Sequence, residues 1–158
     1  MILQLGQVLA LLGAAIAVGL AGMGSSRGVG LAGETAAGVA TDNPEVAGKL
    51  LVLQLLPATQ GIYGFLIAVI ILIKTGILGG TPVDVSVIQG LKFICACLPI
   101  GVVGYYSAIY QAKVSAAGMI MTGQKPEMSG RATVMTVMVE TYAVFALLIS
   151  FLVVNSVM

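Results

Sequence analysis

Long hydrophobic runs constrain the fold of this chain more than any other feature of its sequence. Residues 3–26, 50–73, 93–112 and 132–158 together contain one charged residue, Glu140. Each run reaches the roughly 20 residues that a helix needs to cross a bilayer. The first run lacks a basic leading segment, so we expect a retained helix rather than a signal peptide. The sequence therefore predicts an all-α membrane protein with four transmembrane helices.

The composition excludes several other classes of protein. Only 8% of the 158 residues are charged and 59% are hydrophobic, which leaves too few polar residues to cover a water-soluble domain. A net charge of +1 provides no basic surface for nucleic acid. The absence of histidine removes the commonest general base and metal ligand. The two cysteines, Cys95 and Cys97, are expected to be reduced and buried, because their spacing on a helix separates them.

An internal repeat organises the chain. The segments NPEVAGK at 43–49 and KPEMSGR at 125–131 align with an offset of 82 residues (125 − 43). The sequence therefore predicts two tandem helical hairpins, residues 1–79 and 80–158, with the same orientation. Parallel repeats suit a ring around an axis along the membrane normal better than the inverted arrangement of many transporters.

The distribution of small and basic residues predicts the arrangement of the four helices. Glycines are concentrated in the first and third helices, so we expect these two to form a tight inner layer and the other two an outer one. Five of the seven basic residues lie toward the 41–49 and 123–131 loops. The positive-inside rule then makes these loops cytoplasmic and places both termini on the outer side of the cell membrane.

One carboxylate interrupts the last hydrophobic run. Glu140 has eight uncharged residues before it, from position 132, and eighteen after it, to position 158. Acidic residues inside a membrane usually serve a function. Gln111 and Glu140 lie equally far, 14.5 residues, from the centre of the turn at Lys125-Pro126. Two antiparallel helices therefore place this amide and this carboxylate at one depth.

The first hairpin adds polar groups to the layer of Glu140. The repeat gives Glu140 the counterpart Ala58 (140 − 82), and Thr59, Gln60 and Tyr63 follow closely. The proline directly before Ala58 disturbs the helical hydrogen bonds and frees carbonyl oxygens nearby.

These groups favour a monovalent cation. All of them offer oxygen atoms, which hard cations prefer, and one carboxylate balances one positive charge. The residues thus point to Na⁺, or to H⁺ that simply protonates Glu140. The alternative is a structural carboxylic acid that hydrogen-bonds Tyr142 or a neighbouring helix.

Three segments of the sequence carry a family resemblance. They are LLVLQLLPATQGIYGF at 50–65, YSAIYQAKVSAAG at 106–118 and MVETYA at 138–143. They resemble the membrane rotor proteolipid (K subunit, or c-type ring) of V-type ATPases, most closely the sodium-translocating bacterial kind. The similarity covers nearly the whole chain. It implies a homo-oligomeric rotor ring with helices 1 and 3 inside and helices 2 and 4 outside.

The resemblance also implies the residues of an ion site. Sodium-type members hold Na⁺ through five groups, and a tyrosine bonds and locks the carboxylate, which carbodiimides alkylate. The ion-binding residues implied here are Leu56, Thr59, Gln60, Gln111 and Glu140, and the implied locking residue is Tyr63.

The resemblance finally implies a set of partners. ATP is hydrolysed in a soluble head and not on this chain, and central-stalk subunits pass torque to the ring. The ring of identical subunits turns in lipid against a stator membrane subunit with an essential arginine. Three other functions remain open: an H⁺-translocating ring of the same type, a small proton-coupled membrane transporter, and a passive pore or structural proteolipid.

Overall fold

Helices joined by short turns make up residues 4–158, the part of the chain that the computed structural model describes. The helices are α1 (Leu5–Asp42), α2 (Ala47–Leu55), α3 (Thr59–Lys74), α4 (Val87–Gln124) and α5 (Ser129–Val157). Short 3-10 segments cover Pro44–Val46, Leu56–Ala58 and Pro126–Met128. Residues 1–3, which the predicted first hairpin and in part the first hydrophobic run include, lie outside the described residues.

Four helical spans within residues 4–158 are long and apolar enough to cross a membrane. They are α1, the segment Pro44–Lys74, α4 and the segment Pro126–Val157. The predicted all-α fold with four spans is therefore confirmed. α1 and α4 each have 38 residues, a length of about 57 Å at 1.5 Å per residue. Since the hydrocarbon core of a bilayer is about 30 Å thick, both helices project well beyond it.

The internal repeat is visible in the bounds of the helices. Adding 82 to the ends of α1 gives 87 and 124, which are the ends of α4. The same offset moves the 3-10 turn Pro44–Val46 onto Pro126–Met128. The two halves of the chain are thus two helical hairpins of the same design.

The connection between the hairpins is a glycine-containing turn followed by a helix cap. Gly76 and Gly80 have φ values of 68° and 73°, in a region that favours glycine because it has no Cβ. Ser86 then begins α4 with a capping box, in which its hydroxyl accepts a hydrogen bond from the Gln89 amide at 3.2 Å and the Gln89 side chain accepts one from the Ser86 amide at 2.9 Å. The predicted boundary at 79/80 falls in this connection.

Contacts between the two hairpin turns hold the bundle at one end. The Asn43 side chain donates to the Gly123 carbonyl at 3.2 Å, and Lys49 donates to the Pro126 carbonyl at 3.0 Å. Both turns therefore lie at the same end of the bundle, as two hairpins of equal orientation require.

Glycines let α1 and α4 pack at backbone distance. A Cβ atom added to Gly24 would lie 2.5 Å from the Tyr105 Cα, and one added to Gly28 would lie 2.8 Å from the Ala108 carbonyl oxygen. Because a side chain has no room at either position, the two long helices approach as closely as small residues allow in membrane proteins.

The prediction that both cysteines are buried is wrong for one of them. Cys97 is buried and Cys95 is exposed, and neither forms a disulfide. Residues two apart on a helix point in well-separated directions, so the face of α4 that buries Cys97 turns Cys95 outward.

Candidate ion-binding site

Glu140 of α5 lies at the meeting point of three helices. The carboxylate is buried, with 9% of the residue exposed. The Tyr63 hydroxyl of α3 donates to its Oε1 at 2.5 Å, and the Gln111 amide of α4 donates to its Oε2 at 3.4 Å. Tyr142, the other tyrosine considered as a partner, is 66% exposed. The carboxylate is therefore held from the first hairpin as well as the second.

Two buried amides extend this arrangement away from the carboxylate. Gln60 and Gln111 are both fully buried. The Gln60 Nε2 donates to the Gln111 Oε1 at 2.6 Å, and the Gln111 Nε2 also donates to the Thr136 carbonyl at 3.2 Å. Buried amides need such partners because an unpaired buried polar group is costly.

Thr59 and the Leu56 carbonyl complete the cluster. The Thr59 hydroxyl donates to the Leu56 carbonyl at 2.9 Å and lies 3.4 Å from the Gln60 Oε1. A continuous series of contacts therefore runs from the Leu56 carbonyl through both amides to Glu140. The structure brings together all six residues that the resemblance implied.

A proline interrupts the helix beside the Leu56 carbonyl. Pro57 lies in the 3-10 segment Leu56–Ala58, which separates α2 from α3. Proline has no N–H and cannot continue the α-helical hydrogen bonds. The carbonyl that loses its helical donor is that of Leu53, four residues earlier, and the Ser115 hydroxyl donates to it at 2.6 Å. The Leu56 carbonyl accepts hydrogen bonds from both the backbone N–H and the hydroxyl of Thr59.

Side chains of α1 position α3 against the rest of the site. The Ser25 hydroxyl accepts a hydrogen bond from the Gly61 amide at 2.7 Å. Gly64 lies so close to Ala17 and Ala21 that a Cβ added to it would lie 2.7 Å from the Ala21 Cβ. These contacts fix the approach of α3 and thereby the reach of Gln60 and Tyr63.

Sequence reasoning missed two contributors to the site. Ser107 accepts a hydrogen bond from Gln60 at 3.3 Å and donates to the Val139 carbonyl at 3.2 Å, so it links three helices. The Thr136 carbonyl accepts a hydrogen bond from Gln111. The repeat carried a signal for the first, since Ser107 pairs with Ser25 at the offset of 82. No sequence signal distinguishes one backbone carbonyl of α5 from its neighbours.

The candidate ligands at the site are oxygen atoms, and the Glu140 carboxylate among them supplies one negative charge. Between residues 4 and 158, no group of three or more acidic or cysteine side chains that could hold a metal ion is found. The cluster instead combines one carboxylate with neutral oxygens from amides, a hydroxyl and a main-chain carbonyl. An amide group can present its oxygen in place of its nitrogen after a half-turn, so both glutamines can face a cation with oxygen. Such a set suits a small hard cation of single charge.

Comparisons with known proteins give two kinds of match. Residues 12–71 and residues 94–153 each match the model of the family described as the C subunit of ATP synthase. The V-type sodium ATPase subunit K of Enterococcus hirae is 48% identical over 149 residues, which are 94% of this chain and 92% of that protein. The A-type ATP synthase subunit K of Methanocaldococcus jannaschii is 37% identical over 145 residues, which are 92% of this chain and 61% of that protein.

Proposed function

This chain belongs to the ATP synthase C family, and on that premise we propose that it is the ion-carrying subunit of a V-type ATPase rotor ring and that the ion is Na⁺. The observation that carries the proposal is the buried oxygen cluster around Glu140. The relative from Enterococcus hirae, named as a subunit of a sodium ATPase, supports the same ion.

The number of oxygens around Glu140 favours Na⁺ over H⁺. A proton requires the carboxylate alone, whereas Na⁺ needs several oxygen ligands. The cluster supplies oxygens from Leu56, Thr59 and the two glutamines beside Glu140. Burying both amides completely has a clear use if they bind the cation, since they replace its water shell.

The burial of the carboxylate gives the site its transport behaviour. A bare charge near the centre of a bilayer costs roughly 2.5 to 3.5 kcal/mol or more, and bound Na⁺ cancels the charge of Glu140. A loaded site can therefore pass through lipid, and an empty one is disfavoured there. This difference couples rotation of the ring to the loaded state.

The ion site opens toward a groove on the outer surface of α5. A groove of about 160 Å³ is lined by Glu140 together with Val137, Thr141, Val144 and Phe145. We propose that a stator subunit meets the ring at this groove, where its arginine displaces Na⁺ from Glu140. Two half-channels in the stator would connect the site to the two sides of the membrane. Against 100 mV, moving one Na⁺ requires about 2.3 kcal/mol.

The arrangement of the subunit in the membrane follows from the same proposal. α1 and α4 line the inside of the ring, and the spans that contain α3 and α5 form its outside. The loops at 41–49 and 123–131 face the cytoplasm and the central stalk, and both termini face outward. Each chain contributes two hairpins, residues 1–79 and 80–158, and the second carries Glu140.

Carbodiimide labelling of Glu140 in purified rings tests the proposal. The reagent reacts with the protonated carboxyl, so bound Na⁺ should slow labelling while the same concentration of K⁺ does not. A Glu140→Gln variant is the control that assigns the label to this residue. Labelling that depends on pH alone would show that the ring carries H⁺, and absence of any labelling at Glu140 would contradict its role as ion carrier.

A further inference from the structure

A second exposed surface lies along α4 and α5. It is a groove of about 390 Å³ between α4 and α5, lined by valines and by Tyr106, Tyr110 and Tyr142. We call it the tyrosine groove. Its three tyrosines are 56%, 55% and 66% exposed, although they lie at the depth of the buried ion site. Aromatic side chains of this size usually bury much of their surface against a partner.

The internal repeat gives each of these tyrosines a counterpart in the first hairpin. Subtracting the offset of 82 gives, in order, Gly24, Gly28 and Gln60. All three face α4 of the same chain, where Gly24 meets Tyr105, Gly28 meets Ala108 and Gln60 bonds the Gln111 amide. The tyrosine groove is therefore the repeat image of a surface that is already covered.

The segment of α4 that covers Gly24, Gly28 and Gln60 indicates, through the repeat, which segment would cover the tyrosine groove. Residues 101–108 of α4 lie there: a Cβ added to Gly101 would lie 3.2 Å from the Ile16 carbonyl oxygen, and one added to Gly104 would lie 3.2 Å from the Ala21 Cβ. The repeat image of 101–108 is 19–26 of α1. Within one chain, a Cβ added to Gly19 or Gly22 meets no atom within 4 Å.

We propose that the tyrosine groove binds α1 of a second copy of this chain, with residues 19–26 of that copy packed against Tyr106, Tyr110 and Tyr142. The proposal rests on the proposed ring, for which it assigns the contact surfaces. The two surfaces are different parts of the chain, so each copy can bind one neighbour through each of them. A head-to-tail contact of this kind closes into a ring when the rotation allows it.

The distance between neighbouring inner helices then differs between the contact inside one chain and the contact between two chains. Within a chain, α1 and α4 meet through Gly24 and Gly28, where no side chain fits. Between chains, Tyr106 and Tyr110 stand at those positions. The spacing of inner helices must therefore alternate between a narrow contact inside each chain and a wider one between chains.

The same correspondence explains why each chain has one ion site. At the contact between copies, the repeat replaces Gln60 by Tyr142 of one copy and Glu140 by Ala58 of the next. The carboxylate and an amide ligand are lost there, and an aromatic ring takes the space. We infer that the tyrosine groove is a contact surface between subunits and not a second ion site.

Cys95 provides a direct test of the register between copies. Its repeat counterpart is Gly13, whose added Cβ would lie 3.1 Å from the Phe93 carbonyl carbon and the Ile94 amide nitrogen. The images of residues 93 and 94 are 11 and 12. Exposed Cys95 of one copy is therefore expected to lie beside Leu12 of the next, a residue that is itself 50% exposed.

The experiment is oxidative crosslinking of a Leu12→Cys variant in purified assemblies. A disulfide between position 12 and Cys95 should link each copy to the next and give a ladder of covalent oligomers on denaturing gels. The ladder should vanish in the Leu12→Cys/Cys95→Ser double variant. Ile73→Cys is the matched control, because Ile73 is 60% exposed but lies on the outer α3.

Native mass spectrometry of the same samples separates failure of this proposal from failure of the proposed function. Intact rings of Leu12→Cys without a ladder would overturn the register and leave the ring standing. A protein that never forms rings would overturn both. As a second measurement, Gly19→Phe should retain its helix content and lose ring assembly, whereas Gly48→Phe should keep both, since a Cβ at either glycine meets no atom of its own chain within 4 Å. Rings of normal stability in Gly19→Phe would also overturn the proposal.

Discussion

Replacing Tyr63 by phenylalanine removes one oxygen atom from the site and leaves the ring of the side chain in place. The Tyr63 hydroxyl donates to the Glu140 Oε1 at 2.5 Å. A hydrogen bond to a charged group contributes about 1.5 to 3 kcal/mol. Tyr63 lies on α3 and Glu140 on α5, so this bond also holds the carboxylate toward the amide ligands. The substitution should therefore weaken the form of the site that binds Na⁺.

The expected loss of Na⁺ affinity follows from these values. At 1.4 kcal/mol for each factor of ten, the loss amounts to about 10- to 140-fold. The assay is the Na⁺ concentration that halves the rate of carbodiimide labelling of Glu140, measured at constant pH in purified rings. That concentration should rise by the same factor in Tyr63→Phe.

Tyr142→Phe is the matched control for this measurement. It also removes one phenolic oxygen and lies two residues from Glu140, but the carboxylate bonds Tyr63 and Gln111 instead, and phenylalanine keeps the aromatic ring that is proposed to meet the next copy. Its effect should stay within about 0.5 kcal/mol, or roughly twofold. Equal Na⁺ protection of wild-type protein and Tyr63→Phe would refute the idea that the tyrosine stabilises the ion-binding carboxylate. Equal losses of Na⁺ affinity in Tyr63→Phe and Tyr142→Phe would show that the effect is not specific to the hydroxyl that bonds Glu140.

Three further substitutions, the last with a matched control, test other parts of the site and fold. Glu140→Gln should abolish ATP-driven Na⁺ transport while native mass spectrometry still finds intact rings, and retained transport would contradict the assigned ion carrier. Gln111→Ala should raise the Na⁺ concentration needed to slow labelling of Glu140 far more than it shifts the pH dependence of labelling. An equal change in both would make Gln111 a packing residue. Gly24→Ala should destabilise the bundle by about 1 to 3 kcal/mol in unfolding by denaturing detergent, because its Cβ would lie 2.5 Å from the Tyr105 Cα. Gly38→Ala, where a Cβ meets no atom within 4 Å, should be neutral or stabilising by up to about 1 kcal/mol.

The depth of the site could be predicted from the order of residues along the chain. Gln111 and Glu140 lie equally far from one turn, and the rise per residue of an α-helix hardly varies. The structure accordingly places the two side chains 3.4 Å apart. Their role in ion binding stays a proposal, but their shared depth follows from helix geometry alone.

The rotation of each helix was harder to predict than the depth of its residues. Sequence reasoning kept Tyr142 as an alternative partner of Glu140 and expected Cys95 to be buried. Both side chains are exposed, because the faces of α4 and α5 that become buried depend on where the neighbouring helices lie. In a chain that is apolar all round its helices, the hydrophobic pattern gives little information on that choice.

The sequence by itself determined the class of protein, the four spans, the duplicated hairpin and the layer that contains Glu140. These features depend on composition, on distances along the chain and on the constant rise of a helix. The family resemblance added that Tyr63 bonds the carboxylate, as it does in the structure. Only the tertiary structure decided that Ser107 and the Thr136 carbonyl support the two glutamines and that three tyrosines face outward. These features depend on how closely glycines let α1, α3 and α4 approach and on the helix rotation that this approach imposes. Both arise from contacts between segments that are far apart in the chain.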